Sequence, residues 1–230
     1  MVKKLILLGL GFVLQVAFLG CQESNKKDVL VIPQGKVGMI GYGSLSSLQS
    51  IEEVLGRKYQ DSIYLVHLDG FQRSWNFAGA NNDPLLPPEL LKYDSFYIKN
   101  NDTIPFQKTL FLNIIENKEV QLNCILYFVT PQELAMFDEM ELGYTRIDVT
   151  DNISEFEFKN GVVYAFKALP EYEYDAANDS VNSILEKSYV DLVLAAYDAR
   201  GISYRQEFDN TTTLLDSNLV APVIRIKVRD

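Results

Sequence analysis

A glutamate stands where the helical period calls for an apolar residue. Thr130-Pro131-Gln132-Glu133 is a capping box with proline at the first helical position, which predicts a helix from Pro131 to about Leu142. The 3.6-residue period then puts Leu134, Phe137 and Glu141 on one face. A carboxylate on a core-facing stripe loses hydration, and its pKa rises toward neutrality unless hydrogen bonds or a cation offset the loss. That is the condition of a general acid/base made from glutamate. The pattern alone leaves a second outcome open, in which the helix frays before Gly143 and Glu141 turns to solvent. Asp138 and Glu139 beside it read as solvated or structural.

The rest of the chain has few other groups for chemistry. His67 is the single histidine and there are two cysteines, Cys21 and Cys124. Cys124 lies in the apolar run Leu122 to Phe128 and reads as a small buried hydrophobe. One imidazole and one such thiol supply neither a zinc ligand set nor a histidine-based triad. Chemistry here must rest on carboxylates, hydroxyls and backbone donors, and no metal or cofactor is expected. The formal net charge of −10, without basic runs, argues against nucleic acid or anionic lipid as ligand.

The second stretch of interest is Gly41-Tyr42-Gly43-Ser44-Leu45. Val37 to Ile40 is short, apolar and bounded by glycine, as a buried strand is. A two-glycine turn ends it, and residues 45 to 56 follow as a helix with Leu45, Leu48, Ile51 and Leu55 at helical spacing. Glycine removes the Cβ, so the backbone N–H groups of such a turn can approach a ligand closely. The turn is not a phosphate loop, because the Gly-Lys-Ser/Thr ending is missing. Nor is it a nucleophile elbow, because Leu45 and Ser46 follow Ser44 where that motif needs glycine. An ordinary tight turn after a core strand is the other reading.

The elements that must position these residues are mixed. Strands are predicted at Ser62 to Leu68, Phe71 to Phe77, Ser95 to Lys99, Thr109 to Ile115 and Val120 to Val129, the last two as a hairpin across Glu116 to Glu119. Tyr144 to Thr150, Glu155 to Lys159 and Val162 to Ala168 read as further strands, with Asn160-Gly161 as a hairpin turn. Val181, Leu185, Tyr189, Leu192 and Ala196 mark a long helix ending near Gly201, and a short helix covers Ser203 to Asn210. Val220 to Val228 closes the chain as a strand containing Pro222. Hairpins and a few helices without βαβ repetition predict an α+β fold with a mixed or barrel-like sheet.

The N-terminus reads as a targeting segment. Lys3 and Lys4 precede an apolar run from Leu5 to Leu19 that is short for a membrane span. Gly20-Cys21 closes it in the manner of a bacterial lipoprotein signal, although Phe18 replaces the usual aliphatic residue. The expected organisation is a signal peptide over 1–20, a tether over 21–36 lipidated at Cys21, and a single domain over 37–230. The protein would then be lipid-anchored in the cell envelope, facing away from the cytoplasm.

Taken in order, the blocks resemble the γ-glutamylcyclotransferase-like proteins. Gly41 to Leu45 is similar to the family's Tyr-Gly-Ser loop, and Gly70-Phe71-Gln72-Arg73-Ser74-Trp75-Asn76 to its Gly-aromatic-x-Arg-x-aromatic-Asn strand. Asp138-x-x-Glu141-x-Gly143-Tyr144-x-Arg146 resembles the segment that carries the catalytic glutamate. Val163 to Phe166 resembles the later Tyr-containing strand, while Ser188 to Asp191 and Thr211-Thr212 fit the C-terminal helical part of one bacterial branch. Met140 departs from the pattern where a positive residue is common, and Ala195-Ala196 where glycine is frequent. These departures bear on substrate choice more than on fold.

The resemblance implies a small mixed β-barrel with flanking helices and a cleft between the Tyr42–Leu45 loop and Glu141. It implies that a γ-glutamyl amine or peptide cyclises to 5-oxoproline and releases its amine, with the substrate's α-amine as nucleophile and Glu141 as acid/base. Tyr42, Gly43, Ser44 and Leu45 would hold the substrate through backbone donors, and Arg73, Trp75 and Tyr144 would line the pocket. A non-catalytic lipoprotein, using the pocket to bind a small ligand or the fold for protein interaction, is the competing class.

Overall fold

The computed structural model describes residues 27–175 and 182–228. Cys21 and the expected signal peptide lie outside them. The elements run in the order β1 (Asp28–Val31), β2 (Val37–Gly41), α1 (Leu48–Leu55), β3 (Tyr64–Ala80), β4 (Tyr93–Lys99), β5 (Asp102–Pro105), β6 (Lys108–Val129) and α2 (Pro131–Met140). There follow β7 (Tyr144–Asp148), β8 (Phe156–Lys159), β9 (Val163–Ala168), β10 (Ser183–Glu186), α3 (Lys187–Asp198), α4 (Ile202–Asn210), β11 (Val220–Ala221) and β12 (Val223–Lys227). The class is mixed α+β, as the sequence predicts.

The main sheet has the order β11-β10-β6-β2-β9-β7, with β3 also paired to β6. No closed ring of strands forms among the described residues, so the sheet is open where a barrel is expected. β2 is internal, antiparallel to β6 and parallel to β9. Successive residues of a strand point to opposite faces, and the core divides accordingly. Ile40, Leu126 and Phe128 join the larger apolar cluster with Val190, Val193 and Phe208 of α3 and α4. Met39, Ile125, Tyr127 and Val129 join a second cluster with Ile51 and Leu55 of α1 and Leu134 and Phe137 of α2. The two helix pairs thus cover opposite faces of the same strands, and the loop after β2 emerges between them.

Several boundaries differ from those expected. β6 runs unbroken through Glu116 to Glu119, and instead of folding into a hairpin it pairs with β3 on both sides of a register irregularity between Glu116 and Gln121. β3 itself joins the two strands expected on either side of Gly70, whose φ of 83° accompanies a register shift between Asp69 and Phe71. Asn160 adopts the positive φ of a tight turn, yet β8 pairs with β1 and β9 with β2 and β7, so no hairpin forms there. The predicted helix between residues 45 and 56 divides into a 3-10 turn at Ser44–Ser46 and α1. The helix expected from Val181 starts only at Lys187, because Ser183–Glu186 pairs with β6 as β10. Pro222 separates β11 from β12, and β12 pairs with β4 in a smaller sheet. The described part of the expected tether belongs to the domain. β1 pairs in parallel with β8, and the run Leu30 and Ile32 packs on the larger cluster, with Ile32 buried.

Candidate active site

α2 delivers Glu141 to its place. Thr130 Oγ1 accepts from Glu133 N at 3.2 Å and Glu133 Oε2 accepts from Thr130 N at 2.9 Å, so the predicted capping box is formed. Leu134 and Phe137 bury the helix against the second cluster. Glu141 is the C-cap, and its N–H donates to Phe137 O at 2.9 Å. Fraying to solvent does not occur. Two residues later the chain turns under two rings: Gly143 has φ 81°, and a Cβ there would fall 2.7 Å from Tyr172 and 2.8 Å from Phe77. That close approach requires glycine. It brings Tyr144 onto Phe77, with ring centroids 4.2 Å apart and nearly parallel.

The loop after β2 closes the other side. A Cβ on Gly41 would lie 2.1 Å from Leu45 O, so the loop doubles back on its own backbone only because Gly41 has none. Gly43 has negative φ, and its contact is with Tyr189, whose Oη would be 3.3 Å from an added Cβ. Ser46 N donates to Gly43 O and Ser47 N to Ser44 O, each at 2.9 Å. Among the described residues the N–H groups of Gly43 and Leu45 donate to no backbone acceptor.

These two segments meet. Tyr42, Gly43, Ser44, Leu45, Glu141 and Tyr144 line one cavity of about 30 Å³, space for a water or two. Ser44, Leu45, Glu141, Tyr144 and Tyr189 also line an adjoining cleft of about 590 Å³, within the size range of ligand sites. Of the eight residues that the sequence singles out as catalytic or substrate-binding, two lie outside this lining. Arg73 and Trp75 share one face of β3 and point into the larger cluster. Arg73 is wholly buried and serves the loop from behind. Its Nε donates to Tyr42 O at 3.1 Å, Nη1 to Thr211 Oγ1 at 2.8 Å, and Nη2 to Asn123 O and Oδ1. Trp75 packs edge-on against Tyr189 at 6.4 Å.

Tyr189 is the site residue that sequence reasoning missed. The three cavity tyrosines differ in what their hydroxyls do. Tyr42 donates to Phe166 O at 2.7 Å and Tyr144 to Leu112 O at 2.8 Å, so both protons are committed to main-chain carbonyls. Tyr189 Oη instead accepts from Leu112 N at 3.2 Å, and its own proton is given to no acceptor among the described residues. Its motif, Ser188 to Asp191, is visible in the sequence, but the helical period does not place its face, because Ser183–Glu186 is strand and α3 begins only at Lys187.

Glu141 is partly buried as a residue, and its carboxyl sits among buried groups. Burial alone pushes its pKa to about 7. No cation pairs with it among the described residues. Burial, first, and the neighbouring Glu141 charge raise the Tyr42 phenol, so that hydroxyl stays protonated. His67 lies elsewhere on β3, between Glu155 (Nδ1, 2.5 Å) and Glu207 (Nε2, 2.8 Å). Cys124 is buried and its thiol is pushed up by burial, which leaves it inert. No cluster of metal-ligating side chains is present among the described residues.

The fold has known likenesses. One is a solved gamma-glutamyl cyclotransferase, at 12% identity and a TM-score of 0.48, covering 81% of this chain and 94% of that one. An uncharacterized human protein matches at 12% identity and TM-score 0.48, over 81% of this chain and 96% of its own. A glutathione-specific cyclotransferase from yeast matches at 7% identity and TM-score 0.37, over 79% of this chain and 90% of its own. No family model matches the sequence, and no curated protein matches it. Likeness at this level assigns neither substrate nor mechanism, and the functional reading rests on the cavity.

Proposed function

We propose that this protein is a cyclotransferase that converts a γ-glutamyl amine or peptide to 5-oxoproline and free amine. The observation that carries the proposal is Glu141: a carboxyl with no cation partner among the described residues, held near pKa 7 by burial, facing a glycine loop across a cavity. The Glu141 carboxylate accepts a proton from the substrate's α-ammonium. The freed nitrogen attacks the γ-carbonyl carbon, the bond from that carbon to the amine nitrogen breaks, and the protons shed by the attacking nitrogen end on the departing amine. No protein nucleophile is needed, and holding the two reacting groups together supplies several kcal/mol of the acceleration. Backbone N–H groups of the Gly43–Leu45 turn suit the developing oxyanion, as does the Tyr189 hydroxyl. The 30 Å³ cavity is too small for a glutamyl group, so the substrate occupies the adjoining cleft and reaches in with its reacting end.

The experiment is a mass-spectrometric assay of 5-oxoproline released from a panel of γ-glutamyl compounds. Release that depends on Glu141 supports the reading. Binding of such compounds without turnover makes the protein a ligand-binding module instead. We also propose that Cys21 carries lipid and anchors the protein to a membrane on its extracytoplasmic side, the support being Lys3, Lys4 and the apolar run that ends at Gly20-Cys21. Metabolic labelling with a fatty acid decides this: Cys21→Ser should lose the label, and equal label in both proteins sinks the anchor.

A further inference from the structure

The cleft beside Glu141 has a chemical character of its own. Its walls are apolar along Val54, Phe77, Leu86, Leu90, Phe111 and Met140. Its charges are lopsided. Glu53, Asp83 and Glu139 line it together with Glu141, and among the described residues Arg225 is the one cation in the lining. That arginine is engaged: Nη2 lies 2.8 Å from Glu186 Oε2. Asp83 is anchored as an acceptor, taking Tyr172 Oη at 2.7 Å and Leu85 N at 2.9 Å, so its negative charge is fixed at the wall. Phe77 reaches the cleft because the β3 register shifts between Ser74 and Phe77, and it stacks between Tyr144 and Tyr172 to form a flat aromatic floor.

A group leaving from Glu141 departs along this floor. A free carboxylate on it would meet Asp83, held at the wall, and the flanking Glu53 and Glu139, and among the described residues the lining offers it no unpaired cation, so it suffers like-charge repulsion. An apolar or cationic group would meet complementary walls. We infer that the amine released by this protein carries an apolar, ring-sized body and no carboxylate, so that the substrates are γ-glutamyl amides of apolar amines and not γ-glutamyl amino acids or peptides with a free C-terminus. This inference rests on the cyclotransferase reading for the position of the glutamyl group; the cleft's selectivity is a separate property.

The test uses two probes that differ only in the carboxylate, γ-glutamyl-phenethylamine and γ-glutamyl-phenylalanine, with the purified full chain. Wild type should release 5-oxoproline from the phenethylamine compound with kcat/KM at least about tenfold higher. The double variant Glu53→Lys, Glu139→Lys reverses two exposed charges of the cleft wall and should shrink that preference to within about threefold. Equal rates for the two probes, or faster turnover of γ-glutamyl-phenylalanine, overturn the cleft inference and leave the cyclotransferase reading intact. An unchanged preference in the double variant overturns it as well. If neither probe is turned over, the cyclotransferase reading fails, and calorimetry decides the cleft: tighter binding of the phenethylamine compound by tenfold supports the inference, while equal or absent binding of both overturns it.

Discussion

The loop from Gly41 to Leu45 has two walls, and the fold treats charge in opposite ways on them. Behind the loop lies Arg73, wholly buried with every side-chain nitrogen engaged, under the rings of Tyr197 and Phe208 at 5.0 and 4.8 Å. Tyr197 Oη donates to Tyr42 O at 3.0 Å and stands 3.0 Å from Ser46 Oγ, and Arg200 Nη2 donates to Ser46 O at 2.7 Å. In front of the loop lies Glu141, also desolvated, with no counter-charge among the described residues and a pKa raised by burial. A buried polar group is tolerated when its partners are supplied and costs free energy when they are not. The rear wall is therefore a brace. The front wall keeps a carboxylate in an unfavourable state that a substrate's ammonium would relieve, which is the pattern expected of a working site.

The largest difference between the walls should appear in rate. Glu141→Gln keeps the size and hydrogen-bonding capacity of the side chain but cannot move a proton, a contribution on the order of 10²–10⁴ in rate. The variant should fold, bind substrate and lose turnover by that factor. Turnover within a few-fold of wild type removes Glu141 from the chemistry. The same substitution separates the walls by pH. A carboxyl whose folded pKa is raised favours the native state at low pH, below about 4.5 where both states are protonated, and loses that contribution as pH climbs toward 7. Glu141→Gln should therefore gain stability relative to wild type at pH 8, by up to about 3 kcal/mol, and gain little at pH 4. Denaturant melts at the two pH values read the difference directly. Wild-type kcat/KM should in turn rise as pH passes through about 7, because the base form of Glu141 starts the reaction.

On the rear wall the expected loss is stability. Arg73→Leu removes the donors to Asn123 Oδ1 and Thr211 Oγ1, and one of the two each to Asn123 O and Tyr42 O. Buried acceptors left without partners cost roughly 1–3 kcal/mol each, partly relieved by rearrangement, so a loss of about 3–5 kcal/mol is expected. A midpoint shift of less than 1 kcal/mol would show that the brace holds without its arginine. Tyr189→Phe sits between the two walls. It deletes the one cavity phenol proton not given to a carbonyl, and should lower kcat about tenfold with KM nearly unchanged. A change in KM alone would mean that Tyr189 only shapes the cleft.

How far the sequence reached also differs between the walls. The front wall was legible because its signals are local. A capping box set the phase of α2, and the phase put Glu141 on the buried face; glycine spacing marked the turn. The rear wall depends on which face of a strand looks where, and that is decided by long-range pairing. Arg73 and Trp75 carry the polarity and ring size of pocket residues, but the β3–β6 register turns both into the core. The bulge that then swings Phe77 toward the cleft has no strong local signature. Glu116 to Glu119 reads as a turn by composition and is instead the middle of β6, where the strand continues through a register irregularity between its two stretches of pairing with β3. Tyr189 was hidden by an apolar run that serves β10 as strand and α3 as helix.

The smallest effect concerns Tyr127, which belongs to the front wall's supporting cluster. Its ring is wholly buried against Phe137 and Tyr59, at 5.9 and 6.1 Å, and its hydroxyl has no hydrogen-bond partner among the described residues. Burial raises its pKa far above 10, with the Glu141 charge a lesser cause, so the phenol is neutral. An unpaired buried hydroxyl contributes nothing and has lost its water, so deleting it is expected to be neutral or favourable. Tyr127→Phe should change unfolding free energy by 0 to about +1 kcal/mol and leave the rate and its pH midpoint where they are. Those two readouts test whether the front wall's unsatisfied character is functional at Glu141 alone. If the pH midpoint of kcat/KM moves instead, the Tyr127 hydroxyl communicates with the Glu141 carboxyl, and the uncompensated acid in front of the loop has a partner after all. If stability falls by more than about 1 kcal/mol, the hydroxyl is held by an internal water. The two walls would then be alike in principle, both satisfied, one by protein donors and the other by solvent.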